Sequence, residues 1–221
     1  MISQTEENYL KALFVLTGSK GETSVNEIGK HLGLRMPTVN SMMKRLAEKG
    51  FVMYESYKPL RLTEKGKKEA ALIIRKHRLT EMYLVERMGF GWEEVHDIAE
   101  QVEHIRSEAF FTKMDELLGY PKVDPHGSPI PDTDGRMESE QYTRLSDCAE
   151  GSQVTFMAVD HSSEALLNFL NSRGLVLGSQ IVVDKVEPFD DSMTVSYGDR
   201  KEEMLSSKVC EKLLVKAIHG T

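Results

Sequence analysis

Cysteine, tryptophan and long apolar runs are all scarce in this sequence. Only Cys148 and Cys210 of its 221 residues are cysteines, and they match neither a disulfide framework nor a paired thiolate metal site. A reducing compartment is the simplest setting for such a chain. No apolar run approaches the roughly 18 residues of a membrane span, and the N-terminus lacks the basic and apolar regions of a secretion signal. We therefore expect a cytoplasmic protein with no membrane partner.

Basic residues are fewer than acidic ones, with 28 lysines and arginines compared with 35 aspartates and glutamates. A net charge of −7 by itself argues against a nucleic-acid-binding protein. The charge is unevenly distributed, however: residues 1–80 contain 15 basic and 8 acidic side chains, and the remainder contains 13 and 27. This asymmetry indicates a basic module that binds a polyanion and an acidic part with a different task.

The basic N-terminal segment has the pattern of a helix-turn-helix. Apolar residues at helical spacing predict helices over 4–17 and 25–32, and a third helix beginning at Pro37. Two short β-like runs around a turn at Lys58 complete a winged helix-turn-helix. The competing interpretation is a surface helical hairpin with a solvated basic face. The β-like runs and the local positive charge favour binding to double-stranded DNA.

The third predicted helix supplies the candidate DNA contacts. A recognition helix places the polar residues of its first turn on base edges, while nearby basic residues bind phosphates. The residues expected to contact DNA are Arg35, Pro37, Thr38, Asn40, Ser41, Lys44, Arg45 and Lys58.

The rest of the chain predicts helices followed by a small β module. Long helices are expected over 64–88 and from about Glu93 to Leu118, and four of the seven prolines then fall between 121 and 131. From about 143 onwards, alternating apolar residues predict short strands and one helix, arranged as a small barrel. The expected fold class is mainly α with small β parts.

Histidines and carboxylates recur at helical spacing on the two long predicted helices. They are His77 and Glu81 on the first helix, and His96, Glu100, Glu103 and His104 on the second. On each helix these side chains share one face, which predicts a metal-binding stripe that Asp124 and His126 could complete. Imidazole nitrogen and carboxylate oxygen without thiolate suit several divalent metals, and the number of carboxylates favours Mn(II) and Fe(II).

Other interpretations stay open on these residues alone. A histidine or glutamate on an amphipathic helix is most often only its solvated edge, and the stripe could be structural. The chain would then be a winged-helix regulator that responds to an organic ligand or an oxidant. A metallohydrolase is a further alternative, although the sequence contains neither HExxH nor GxSxG.

Four motifs occur in a specific order: RMPTVNSMMKRLAEKGFV, HRLTE, VHDIAEQVEH and PHGSPIP. Over residues 1 to about 131 this order resembles the diphtheria-toxin-repressor family of metal-dependent transcriptional regulators. The C-terminal part resembles the SH3-like (FeoA-like) domain of its longer members. The resemblance implies a winged helix-turn-helix domain over 1–63, a helical dimerisation and metal-binding domain over 64–131, a linker over 132–142 and an SH3-like β-barrel over 143–221.

The resemblance also implies two metal positions in each subunit. By position, one would be bound by His77, Glu81 and His96, the other by Glu100, Glu103 and His104, and manganese-responsive members add residues that match Asp124, His126 and Asp160. Glu100 and Asp124 stand where cysteine is common in the family, which moves the donor set towards oxygen and manganese. Asn8 stands where Met or Asp is usual, so its amide oxygen would add a ligand without a charge.

Together these patterns predict a homodimeric repressor that controls manganese or iron homeostasis. Mn(II), or alternatively Fe(II), would stabilise the dimer state that binds a palindromic operator. Neither enzymatic activity nor a small organic substrate is expected.

Overall fold

The computed structural model describes residues 2–56, 58–138 and 140–218. It divides into two compact units. The first comprises Met1–Thr80, Ile98–Lys122 and Ile130–Glu138, and the second comprises Glu81–Asp97, Val123–Pro129 and Ser139–Thr221. Within the described ranges, no helix is both long enough and apolar enough to cross a membrane.

The first unit begins with three helices: α1 (Gln4–Thr17), α2 (Val25–Leu32) and α3 (Met36–Glu48). Capping boxes start the first two, because Ser3 and Ser24 each exchange hydrogen bonds with the glutamate three residues later. A two-stranded antiparallel wing follows, formed by β1 (Val52–Met53) and β2 (Arg61–Leu62). The predicted winged helix-turn-helix is therefore present.

One apolar core holds this winged helix-turn-helix together. It is formed by Tyr9, Leu10, Leu13, Ile28, Val39, Met43, Leu46, Phe51, Val52, Leu60, Leu62, Ala70 and Ile73. Ala70 and Ile73 belong to helix α4 (Glu64–Met88), whose first turns pack closely on the wing. A Cβ at Gly66 would lie 2.0 Å from the Phe51 carbonyl oxygen, so only glycine permits this approach.

The second long helix predicted from the sequence is not continuous. The chain instead forms a short α5 (His96–Val102) and a separate α6 (Glu108–Leu118). Ser107 caps α6 by accepting a hydrogen bond from the Phe110 amide. The apolar residues on both sides of Ser107 keep a helical spacing, so the spacing alone did not predict this new helix start. Glu103 therefore lies in the turn after α5, and the prediction of one uninterrupted helical stripe was wrong.

The second unit is built on a six-stranded antiparallel sheet with the strand order β3-β8-β4-β5-β6-β7. The strands are β3 (Thr143–Arg144), β4 (Gln153–Val159), β5 (Gln180–Val186), β6 (Met193–Tyr197), β7 (Arg200–Leu205) and β8 (Leu213–Ala217). Helix α7 (Glu164–Ser172) buries Leu167 and Leu170 in the core of this unit, and α8 (Ser207–Cys210) is a single turn. The sequence had indicated neither β3, β7 nor α8, but the predicted fold class is confirmed.

Candidate metal centres and DNA-binding surface

His77, Glu100 and Glu103 of the first unit come together in a group that we call the helix cluster. Each offers a donor atom within 4.8 Å of the others. The closest pair is His77 Nδ1 and Glu103 Oε2, 2.7 Å apart, and the Glu103 side chain is fully buried. Glu100 and Glu103 had been predicted to share a site, and the structure places His77 against them as well.

A lysine that the sequence analysis did not identify lies in the helix cluster. Lys11 Nζ, from α1, donates to both carboxylate oxygens of Glu103 at 2.9 Å and also donates to Glu100. The Lys11 side chain is only 17% exposed. A mostly buried lysine is uncommon unless it is paired, and here its partners are two predicted metal ligands.

Glu7 is a second residue in contact with a predicted ligand that the sequence did not reveal. Its Oε2 lies 2.5 Å from His104 Nδ1, and both side chains are largely buried. Because a carboxylate can only accept this hydrogen bond, His104 carries its proton on Nδ1 and leaves Nε2 unprotonated when the ring is neutral. Nε2 lies 3.9 Å from Glu103 Oε1, so the ring presents a ligand atom towards the helix cluster.

Asn8 provides an independent test of whether these residues fit a cation. Its Oδ1 is buried and accepts no hydrogen bond among the described residues. A buried carbonyl-type oxygen without a donor is costly, and a metal ion is one partner that satisfies it. Asn8 lies on the same helix as Glu7 and Lys11, which contact His104 and Glu103, and its unsatisfied oxygen is of a type that binds divalent cations.

The second unit contains its own group, Glu81, Asp124 and His126, which we call the loop cluster. All three side chains are buried, and each offers a donor atom within 4.8 Å of the others. His126 Nδ1 lies 3.7 Å from Glu81 Oε2 and 3.9 Å from Asp124 Oδ1. These residues combine imidazole nitrogen with two carboxylates, which also suits a divalent cation.

The loop that carries Asp124 and His126 is held rigidly. Asp124 Oδ1 accepts hydrogen bonds from the backbone amides of His126 at 2.8 Å and Ser128 at 2.9 Å. Gly127, at φ +84°, lies against strand β4, where an added Cβ would come within 2.2 Å of the Met157 carbonyl oxygen. A side chain at this position would push the loop away from the strand.

His126 is oriented by the backbone of Trp92. Its Nε2 donates to the Trp92 carbonyl at 2.9 Å, and the two rings stack with centroids 6.0 Å apart. Nε2 therefore carries a proton, which leaves Nδ1 to face the carboxylates. Burial lowers the pKa of His126, but Glu81, Asp124 and the Trp92 carbonyl together raise this pKa above its ordinary value.

A cavity of about 310 Å³ opens beside the loop cluster within the second unit. His96 and His126 line it together with Trp92, and its other lining residues include Glu93, Glu94, Asp97 and Glu164. Acidic side chains that line a cavity raise the local concentration of cations. His96 is mostly exposed, and its Nδ1 lies 3.5 Å from Glu81 Oε1.

Asp160 does not belong to either cluster in this structure. Its Oδ2 lies 3.5 Å from Arg144, and its Oδ1 lies 3.5 Å from His161 Nε2. The prediction that Asp160 binds metal stays a prediction.

The predicted DNA contacts lie on the outer face of α3. Val39, Met43 and Leu46 turn into the core, and the residues left exposed are Arg35, Pro37, Thr38, Ser41, Lys44 and Arg45. Asn40 is half-buried and accepts a hydrogen bond from the Tyr54 hydroxyl at 3.3 Å. Lys58, beside the wing, pairs with Glu55 at 2.7 Å, and both side chains are exposed.

Glu6 ties α1 to the C-terminal end of α3. It is fully buried, and its Oε1 lies 2.9 Å from Arg45 Nε and 2.6 Å from Lys49 Nζ. Burial raises the pKa of Glu6, but hydrogen bonds from Lys49 and the Ser3 amide, with the charge of Arg45, hold it below the ordinary value. Within the first unit, α1 thus contacts both the predicted recognition helix and the helix cluster.

The thiols do not resemble an oxidant sensor. Burial raises the pKa of Cys210 to about 12, which suppresses the reactive thiolate, and burial also raises the pKa of Cys148.

The fold is that of a winged-helix DNA-binding protein, and the two clusters of histidine and carboxylate are candidate metal-binding groups. Family models support each part in turn. The N-terminal DNA-binding domain of iron-dependent repressors matches residues 1–60, and their metal-binding and dimerisation domain matches residues 63–132. A FeoA domain matches residues 143–217.

The chain belongs to the iron-dependent repressor family, as its resemblance to the diphtheria toxin repressor had indicated. It is 30% identical over 193 residues to the iron-dependent repressor IdeR of Mycobacterium leprae, covering 81% of this chain and 84% of that protein. It is 28% identical over 120 residues to the regulator MntR of Bacillus subtilis, covering 54% and 84%. Because the family consists of transcriptional repressors, the chain is a metal-dependent DNA-binding repressor and not an enzyme.

Solved structures agree with this assignment. A manganese-dependent transcriptional repressor in complex with manganese has a TM-score of 0.88 and 29% identity, covering 96% of this chain and 100% of that one. ScaR with bound Cd²⁺ has a TM-score of 0.80 and 31% identity, covering 96% and 99%. IdeR of T. acidophilum has a TM-score of 0.77 and 27% identity, covering 99% and 100%.

Proposed function

We propose that this repressor responds to Mn(II), with Fe(II) as the alternative, and that it binds a palindromic operator as a cytoplasmic homodimer. The observation that carries the choice of metal is the composition of the two clusters. Every donor in them is a histidine nitrogen or a carboxylate oxygen, and both clusters are rich in carboxylates. Such donors favour Mn(II) and Fe(II) over softer metals.

Each unit would hold one ion. His77, Glu100 and Glu103 would bind the first, with Asn8 and His104 as further ligands. Glu81, Asp124 and His126 would bind the second, with His96 next to Glu81. When bound, each ion supplies positive charge that offsets two or more adjacent carboxylates.

The residues of α1 connect this charge balance to DNA binding. Asn8 lies on the same helix as Glu6, and Glu6 is ion-paired with Arg45 and Lys49 of the α3 region. A ligand supplied by Asn8 would therefore fix α1, and through Glu6 the recognition helix. The half-sites of a palindrome lie about 34 Å apart, so a dimer with poorly fixed recognition helices binds weakly.

The role proposed for each segment of the chain is the one that the sequence predicted. Residues 1–63 would bind DNA, 64–131 would dimerise and bind metal, 132–142 would link, and 143–221 would form the SH3-like domain. On α3, the exposed Thr38 and Ser41 would contact base edges, while Arg35 and Lys44 would bind phosphates.

A titration of DNA binding with each metal tests the proposal. Metal-stripped protein is mixed with a labelled fragment from its own upstream region, and Mn(II), anaerobic Fe(II) or Zn(II) is added at increasing concentration. We expect binding at the lowest free concentration with Mn(II), and reversal by a chelator. Binding that is unchanged by the chelator, or that responds to Zn(II) alone, would contradict the proposal.

A further inference from the structure

The helix cluster already contains a cation, the ammonium group of Lys11. Three hydrogen bonds join this group to Glu103 and Glu100, and only 17% of the Lys11 side chain is exposed. Ion pairs on the surface are weak, but a pair whose carboxylate is fully buried interacts across a medium of low dielectric constant.

The ammonium group and a divalent ion need the same oxygens. Lys11 uses both oxygens of Glu103, and Glu100 is its other partner. Two carboxylates this close repel each other unless a cation lies between them. If the ammonium stayed in place, a divalent ion bound to the same carboxylates would face a positive charge at short range.

We propose that Lys11 is an internal competitor for the metal, which must leave Glu100 and Glu103 before a divalent cation binds there. The inference rests on the proposed role of the helix cluster as a metal site. Lys11 weakens metal binding and so raises the free metal concentration at which the repressor becomes active. It also stabilises the metal-free state, because its ammonium group lies against both carboxylates.

Metal binding would also change which residue of α1 contacts the helix cluster. Asn8 lies three residues before Lys11, so the two side chains project from neighbouring positions on one face of the helix. Lys11 is hydrogen-bonded to the glutamates, whereas Asn8 Oδ1 accepts no hydrogen bond from any residue that the structure describes. Metal binding would reverse this, since Lys11 loses its partners while Asn8 gains one.

Replacing Lys11 with methionine tests the inference, because methionine keeps a long unbranched side chain without charge. Mn(II) affinity is measured on the full chain without DNA, by competition with a fluorescent chelator. We expect Lys11→Met to bind Mn(II) at the helix cluster about tenfold more tightly or better. Lys113→Met is the matched control, since Lys113 lies on α6, is exposed and pairs with Glu116 at 2.7 Å. An affinity of Lys11→Met equal to or below that of the wild type would overturn the inference.

A second measurement uses the wild-type chain, in case Lys11→Met does not fold. In a crystal structure with Mn(II) bound to His77, Glu100 and Glu103, Lys11 Nζ should lie beyond hydrogen-bond distance of both glutamates. An ammonium group that keeps these bonds with Mn(II) present would refute the competition. If the wild type binds no Mn(II) at the helix cluster, the proposed metal site itself is wrong. This outcome differs from the one in which Mn(II) binds and Lys11 keeps its hydrogen bonds, which contradicts only the competition.

Discussion

The helix cluster and the loop cluster use the same donor types but balance their carboxylates with different cations. In the helix cluster, the counter-charge comes from Lys11, a residue of another helix. In the loop cluster, it comes from His126 when that ring is protonated, and His126 is itself a candidate ligand. An ammonium group stays charged through neutral pH, whereas an imidazole loses its charge there. Metal binding is thus opposed by an ammonium group at one site and by a proton at the other.

The clusters also orient their histidines in different ways. Beside the helix cluster, the Glu7 side chain accepts a hydrogen bond from His104, a proposed further ligand, while in the loop cluster the backbone carbonyl of Trp92 accepts one from His126. Substitution can remove a carboxylate but not a backbone carbonyl. The orientation of the histidine beside the helix cluster is therefore the more easily disrupted by substitution.

The largest effect is expected from removing one carboxylate of either cluster. Glu103→Gln should weaken Mn(II) at the helix cluster by at least about a hundredfold, because a buried carboxylate charge is lost. Isothermal titration should then show one bound Mn(II) per chain instead of two. Asp124→Asn should remove the other equivalent and leave the helix cluster intact.

The exposed Glu108 at the start of α6 provides the control for this pair. Glu108→Gln removes the same charge and should leave two equivalents of Mn(II). Two tightly bound equivalents in Glu103→Gln would show that the clusters are not separate sites.

The next largest effect distinguishes the two ways of orienting a histidine. Glu7→Gln should weaken Mn(II) at the helix cluster by about ten- to a hundredfold, the usual cost of losing the partner of a ligating histidine. Trp92→Phe keeps the carbonyl and an aromatic ring beside His126, so affinity at the loop cluster should change little. Equal losses in the two variants, measured by the same titration, would remove this difference between the clusters.

The sequence predicted the individual elements of these sites better than their combination. Helices α1, α2 and α4 were predicted at their observed bounds because capping serines, glycine stops and apolar spacing are local signals. The break between α5 and α6 was missed, so Glu103 was placed on a helical stripe and not in a turn. Glu7, Lys11 and Trp92 were also missed, because their partners lie 34 to 97 residues away along the chain. Spacing within one helix cannot reveal such contacts.

A smaller effect concerns pH at the loop cluster, measured in Glu103→Gln so that only this cluster binds. Glu81 and Asp124 raise the pKa of His126 above its ordinary value of 6.5. The protonated ring therefore stabilises the metal-free unit fully below about pH 6.5, and this contribution is lost as pH rises through the folded pKa.

Mn(II) has to displace that proton to bind His126. The affinity should rise with pH by up to about tenfold per unit until the folded pKa is passed, and then level off. Chelator competition between pH 6 and 8 measures this rise. A constant affinity across that range would mean that the imidazolium is not the competing cation.

The smallest expected effect is the change in unfolding free energy caused by Asn8→Ala, which should have opposite signs without and with Mn(II). Asn8→Ala removes a buried oxygen that has no hydrogen-bond donor within the described part of the chain, so the metal-free protein should gain about 1 kcal/mol of unfolding free energy. With Mn(II) bound, the same variant should lose a ligand and bind several-fold more weakly. Alanine also favours helices, and Asn168→Ala on the exposed face of α7 corrects for this gain. Thermal unfolding with and without Mn(II) then shows whether Asn8 has a role in metal binding. If stability increases both without and with Mn(II), Asn8 is only a residue that disfavours the helix. If stability increases without Mn(II) and decreases with it, the Asn8 oxygen is held in place for a cation while Lys11 occupies the carboxylates.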